Sequence, residues 1–219
     1  MFNRTNKTYM TNRTNMTNKV NPNYGGYRNL KSFQSTTIIY DLTVIFCEKY
    51  VTYKSNKSYR MIDQMVQAAR SGRQNIAEGS KASATSKKTE IKLLNVARAS
   101  LEELLLDYED FLRQKGLKLW EKDSPKANAV RALAYKSDRS CETYKSYLES
   151  PETAANCLIC LINQANYLLD RQLASVEKEF LTKGGYTEKL FKARRENRNN
   201  ESNGTNKNKT YVSNRSNRT

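Results

Sequence analysis

Apolar residues recur every three to four positions through the middle of the chain, the period of a helix packed along one face. The first such stripe, Leu30, Phe33, Ile38, Leu42, Ile45 and Phe46, predicts a helix over 29–52. The second, Ile62, Met65, Ala69, Gly72 and Ile76, predicts a helix over 58–79. Its small residues Ala69 and Gly72 allow a neighbouring helix to come close, and Gly79 is placed to end it. After a polar loop, KASATS, a third helix is predicted over 86–115, with Ile91, Leu94, Arg98, Leu101, Leu105, Tyr108 and Leu112 on its seam and Gly116 beyond its end. Ser124-Pro125 is an N-cap and first-turn pair that opens a short helix. Residues 136–150 read as irregular. Ser150-Pro151-Glu152 opens a last long helix, whose seam is Ala155, Leu158, Ile162, Ala165, Leu169, Gln172, Val176 and Phe180 and whose end is Gly184-Gly185. A brief basic helix is predicted over 187–196. No segment alternates with the period of two that marks a strand. The pattern predicts an all-α protein: an antiparallel four-helix bundle with an inserted short helix and a C-terminal suffix helix.

Both ends depart from this pattern. Residues 3–11 (NRTNKTYMT) are nearly repeated by 12–20 (NRTNMTNKV), and the chain closes on NRNNESNGTNKNKTYVSNRSNRT. Such polar tracts bury too little apolar surface to offset the entropy of ordering, so disordered tails are expected over 1–26 and 197–219, flanking a bundle domain over 27–196. The shared vocabulary suggests that short tandem repeats flank the gene, or that the start codon lies further downstream. The N-x-S/T triplets at Asn3, Asn12 and Asn208 would matter only in an exported chain. The Asn/Thr-rich start has no apolar leader core, and no apolar run is long enough to span a bilayer, so a cytoplasmic location with no membrane partner is expected.

The formal net charge is +16, from 38 Lys and Arg against 22 Asp and Glu. Residues 1–28 contribute five cations and no acid, and residues 192–219 contribute eight cations and two acids. A charge of this size favours polyanions, though solubility alone would also account for it. Between 54 and 98, ten cations face only Asp63, Glu78 and Glu90. A phosphate-contact surface and an ordinary solvated loop are both open readings there. On the first, Arg70, Arg73, Lys81, Lys87, Lys88 and Lys92 are the candidate contacts. Arg98 lies on an apolar seam and needs a carboxylate, for which Glu78, Glu90, Glu102 and Glu103 are the candidates.

Catalytic chemistry finds little to work with. There is no histidine, so the Glu-x-x-His pairs of di-metal bundles and the base of a catalytic triad cannot be assembled. Cys157-Leu-Ile-Cys160 lacks the second cysteine pair of a zinc site and the βαβ context of a redox motif, so core cysteines are expected. No phosphate-cradling glycine loop occurs. A non-enzymatic protein without metal or cofactor is expected.

Two segments carry a family resemblance: QMVQAARSGRQNIAEGS at the end of the second helix and TEIKLLNVARASLEELLLDYEDFL in the third. Asn75-Ile76-Ala77-Glu78-Gly79, the later Glu90, and an ARASLEEL segment resemble the hallmark of the four-helix bundle family that includes proteins encoded by intervening sequences in bacterial 23S rRNA genes. The accessory variability protein of diversity-generating retroelements is a relative. In ARASLEEL, Arg98, Ser100, Leu101, Glu103 and Leu104 fit the family pattern and Ala99 replaces its glycine. The resemblance covers about residues 30–115. The longer second half resembles a subgroup with a C-terminal suffix. The resemblance implies an antiparallel bundle, a ring-like homopentamer and no catalysis. Through the retroelement relative it also implies nucleic acid, RNA before DNA, and a reverse transcriptase as partners. A protein-interaction scaffold that docks such an enzyme without touching nucleic acid is the alternative. A structural polar network of Asn75, Glu78, Glu90, Arg98 and Glu103 is expected, with Glu78 or Glu90 pairing Arg98. On that pairing, Arg98→Met is better tolerated than Glu78→Ala.

Overall fold

The computed structural model describes residues 26–51, 56–136 and 138–213. Its long helices are α1 (Lys31–Tyr50), α2 (Asn56–Ala82) and α3 (Lys87–Gln114), then the short α4 (Pro125–Leu133), then α5 (Pro151–Lys183) and α6 (Tyr186–Ser213). Two 3-10 segments, Tyr27–Asn29 and Cys141–Glu149, precede α1 and α5. Serines open three of these helices. The Oγ atoms of Ser86, Ser124 and Ser150 accept from the backbone N–H groups of Thr89, Ala127 and Thr153 at 3.1, 3.3 and 3.2 Å. Each satisfies a donor that the first turn of a helix leaves unpartnered. Gly184, at φ +66, closes α5 in a conformation that L side chains rarely adopt.

Contacts between the helices set their order and directions. Gly72 meets Leu101 and Gly79 meets Leu94, so α2 and α3 run antiparallel. Arg98 pairs with Asp170 and Lys87 with Glu179, so α3 and α5 are antiparallel. Ser32 bonds Gln172 while Tyr50 bonds the carbonyl of Leu148, so α1 and α5 are antiparallel. Cys47 meets Met65 and Arg73 covers Tyr40, which does the same for α1 and α2. The four long helices therefore close into an up-down-up-down bundle.

Its core contains much of the predicted seams: Leu42 and Phe46 from α1, Met65 and Ile76 from α2, Leu101 and Tyr108 from α3, and Leu158, Ile162 and Leu169 from α5 are all fully buried, joined by Ile39, which the predicted stripe did not include. Phe46 is the aromatic hub, edge-on to Tyr108 and Phe111 with centroids 4.9 Å apart in both pairs.

Several sequence expectations need correction. The second helix passes through Gly79 and ends at Ala82. Gly79 therefore lies inside the helix against α3, where a Cβ would meet the Glu90 carbonyl oxygen and Leu93 Cβ at an ordinary 3.4 Å, and does not terminate it. Residues expected to be irregular include the 3-10 segment Cys141–Glu149. The terminal helix, expected to stop near 196, continues to Ser213. The expected N-terminal tail lies outside the described residues up to position 25, and the last six positions, 214–219, do too.

The connection between α3 and α5 is fastened by polar side chains. Asn156, 1 % exposed, accepts the Trp120 backbone N–H at 2.8 Å and donates to the carbonyls of Lys118 and Glu152, both at 2.9 Å. Arg139 donates to Ser35 Oγ at 2.7 Å, tying the same connection to α1.

Candidate nucleic-acid interface

Charge is sorted along α3. Its first half, residues 87–98, carries Lys87, Lys88, Lys92 and Arg98 against Glu90. Residues 102–113 carry Glu102, Glu103, Asp107, Glu109 and Asp110 against Arg113. Because α2 runs antiparallel, its basic end meets the basic start of α3. Lys81, Lys88 and Lys92 are exposed around this α2–α3 turn, and none forms an ion pair among the described residues. Arg70 is exposed as well, eleven residues before Lys81 and thus about 16 Å away along the helix axis.

Folding adds residues that are remote in sequence. The start of α1 reaches the same end of the bundle, where the Tyr27 ring lies 5.7 Å from Lys81 Nζ and 5.3 Å from the Arg28 guanidinium carbon. Tyr27 is itself held edge-on to Phe33 at 4.8 Å. Arg28 and Lys31 are exposed there. Nothing in the local sequence of 81–92 signals these neighbours, because the link is made by the antiparallel packing.

Two candidate contacts have other partners. Lys87 turns inward, its side chain 13 % exposed, and bonds Glu90 at 2.9 Å and Glu179 at 3.1 Å. Burial lowers the Lys87 pKa, but the hydrogen bonds to both carboxylates outweigh it and leave the ammonium above its ordinary value. Burial dominates at Glu90 and raises its pKa despite Lys87. Glu179, held chiefly by its bond to Lys87, is lowered. The cation is shared by two acids, so it is well compensated while the more deeply buried acid is not. Arg73, half-buried, stacks on Tyr40 with 4.2 Å to the ring centroid.

The polar network also differs from expectation. Arg98 leaves the buried seam: its side chain is 52 % exposed and pairs with Asp170 at 2.7 Å. Helical periodicity places position 98 at the edge of the α3–α5 contact, where a long side chain reaches solvent. The buried carboxylate is Glu90, paired by Lys87, while Glu78 and Glu103 are exposed. Asn75 donates to the Ser71 carbonyl at 2.9 Å and to Ser71 Oγ at 3.1 Å. Ser71 Oγ in turn lies 2.9 Å from Ser100 Oγ across the α2–α3 seam. Asn75 and Ser100, both in the family-like segments, are thus joined through a serine that the sequence did not single out. The expected preference of Arg98→Met over Glu78→Ala does not follow from this geometry. Arg98→Ala should cost at most about 1 kcal/mol, since an exposed pair contributes little. Thermal melts in low and high salt check this, and the small loss should shrink further in high salt.

At the acidic end, burial and then the neighbouring Glu103 and Asp110 carboxylates push the Asp107 pKa up to about 6. Its Oδ2 is buried without a hydrogen-bond partner among the described residues. The folded state therefore holds this proton more tightly than the unfolded chain, so stability falls as pH rises through about 6. Asp107→Asn removes that penalty and should stabilise the protein at pH 7.5 by about 1 kcal/mol, allowing for partial solvent screening. The gap between the two proteins should narrow below pH 6 and close only as the pH approaches about 4, the unfolded value.

The four cysteines are free. Cys157 is buried and Cys160 half-buried, and burial raises both thiol pKa values, which leaves them poor nucleophiles. Among the described residues there is no cluster of three or more potential metal ligands, and no helix long and apolar enough to cross a membrane.

Residues 31–118 match a family model described as the 23S rRNA-intervening sequence protein. The match spans α1, α2 and α3 and ends just before Trp120. Neither the curated proteins nor the solved structures give a match to the chain.

Proposed function

We infer, from the place of residues 31–118 in the 23S rRNA-intervening sequence protein family, that the protein is a non-catalytic, self-associating bundle that binds nucleic acid, with RNA preferred over DNA. The observation that carries this reading is the set of cations Lys81, Lys88 and Lys92 around the α2–α3 turn, without ion pairs among the described residues, with Tyr27 and Arg28 beside Lys81. Lysines that lack carboxylate partners are free to neutralise phosphates, and releasing the phosphates' counterions drives association. The acidic half of α3 opposes binding at the other end and so favours one orientation of the polyanion. Self-association is supported by Val96 and Leu106, 40 % and 57 % exposed on the outward side of α3 with Ala99 between them. These exposed apolar side chains also suit a protein partner such as a reverse transcriptase, which is the second reading.

Fluorescence anisotropy with a labelled structured RNA tests the first reading. The full chain is compared with a variant carrying Arg70, Lys81, Lys88 and Lys92 all changed to alanine. The variant should bind at least tenfold more weakly in moderate salt, with a shallower dependence of affinity on salt. Equal affinity for the two proteins would move the reading to the protein scaffold.

A further inference from the structure

The connection between α3 and α5 builds a cleft outside the family-matched segment. It is lined by Trp120, Pro125, Lys126, Ala129, Tyr147 and Thr153, with Ser146 at its rim. Trp120 is the chain's only tryptophan. Its ring is half-buried, and its indole Nε1 is shielded from solvent with no acceptor among the described residues. Such a donor ordinarily finds a partner when it is buried.

The residue is also held in place. Asn156, itself 1 % exposed, bonds the Trp120 N–H and the Lys118 carbonyl, which fixes the backbone on which the ring sits. Thr153 donates to the Tyr147 carbonyl at 2.7 Å and so secures the opposite wall. Lys126 Nζ hovers 5.5 Å from the Trp120 ring centroid. Two aromatic walls on fixed backbone and an exposed ammonium beside them fit a flat ring that carries an anion on its tether.

We propose that this cleft takes an unpaired nucleobase of single-stranded RNA, stacked between Trp120 and Tyr147, with Lys126 moving to the adjoining phosphate. The proposal rests on the nucleic-acid reading above and adds a second, stacking-based contact to its electrostatic one. Every base has a π-face, so a site of this kind tolerates many sequences but requires the base to leave its helix. Residues 115–149 carry eight cations and five acids, so the surroundings also favour a phosphate chain. A proline-rich peptide would suit the aromatic walls but would bring no anion for Lys126.

Because Trp120 is the sole tryptophan, its emission reports the cleft directly. The full chain is titrated with a labelled twelve-nucleotide single-stranded RNA and, separately, with a blunt duplex of the same sequence. Anisotropy and tryptophan emission are read together. Single strands should quench the emission, while the duplex binds without quenching. Trp120→Ala should weaken single-strand binding about tenfold and leave duplex binding unchanged, whereas Trp120→Phe should keep most of the affinity. Keeping the aromatic ring in the Phe variant separates stacking from a folding defect. If anisotropy shows RNA binding but neither quenching nor a Trp120→Ala effect appears, the cleft proposal fails and the electrostatic reading stands. If neither RNA binds, both fail. A proline-rich decapeptide that quenches at lower concentration than the RNA also overturns the proposal.

Discussion

Replacing Lys87 by methionine should lower the melting temperature by about 10 °C at neutral pH, equivalent to about 3 kcal/mol for a chain of this size. The reason lies in what is left behind. Glu90 is 6 % exposed, its pKa is already raised by burial, and Lys87 is its counter-ion at 2.9 Å. Methionine keeps most of the side-chain volume, so packing survives while the carboxylate loses its partner. The folded-state pKa of Glu90 must then rise further. A group whose folded pKa lies above its unfolded value takes stability away as pH rises through the folded value, so the deficit of the variant should narrow as the solution is acidified. Lys88→Met serves as the control. Lys88 is exposed and unpaired among the described residues, so its melting temperature should stay within about 2 °C of the unaltered protein. Equal losses in the two variants at neutral pH would mean that the Lys87 pair contributes nothing.

The second large effect is at Asn156. Asn156→Ala removes three hydrogen bonds made by one buried amide and strands the Trp120 N–H and the Lys118 carbonyl. Leaving such groups buried without partners costs about 1 to 3 kcal/mol each, and partial rescue by water brings the expected loss to about 3 kcal/mol. The consequence is local as well as global. The connection over 115–150 should loosen, shifting Trp120 emission to the red and exposing that segment to proteolysis well before the bundle unfolds. A uniform loss of stability with unchanged emission would show that Asn156 does not anchor the connection.

These two positions mark where sequence reasoning stops. The bundle itself was legible: stripes such as Leu94, Leu101, Leu105, Tyr108 and Leu112 repeat with helical period and are buried. The serine and proline starts at Ser124-Pro125 and Ser150-Pro151 open helices as read. What periodicity cannot assign is a polar residue on a seam. Arg98 and Glu90 both lie near the α3 seam, yet one reaches solvent and the other is buried, because the outcome depends on what faces them from α5. Asp170 pairs with Arg98 from α5, while Glu90 is paired by Lys87 one turn before it, a cation that it shares with Glu179 of α5. Similarly, α1 buries Ser35, Thr36 and Thr43, which break its apolar stripe. Their hydroxyls donate to carbonyls one turn back, at 2.8, 3.0 and 2.7 Å, so burial leaves no donor unpaired. That local satisfaction is not visible in the residue types.

The candidate surface divides in the same way. Arg70, Lys81, Lys88 and Lys92 are exposed where the charge count placed them, while Lys87 and Arg73 have internal partners. Tyr27 and Arg28 join the surface only through folding. The glycine of the N-I-A-E-G segment lies inside α2, where spacing alone placed a helix end. Gly79 lies under the first turns of α3, as Gly72 lies under Leu101, where a Cβ would sit 2.9 Å from Leu101 Cδ2. Close approach of α2 and α3 brings their two basic ends together, which links a small-residue pattern in the core to a charge cluster on the surface.

The most direct test of that surface is lysine footprinting on the full chain, with acetylation read residue by residue with and without a structured RNA. The account predicts that Lys81, Lys88 and Lys92 are reactive alone and protected by RNA, while Lys87, inside its two-carboxylate pair, reacts poorly in both states. Protection confined to Lys7, Lys19, Lys207 and Lys209 would contradict it, because the affinity would then belong to the low-complexity ends and not to the bundle.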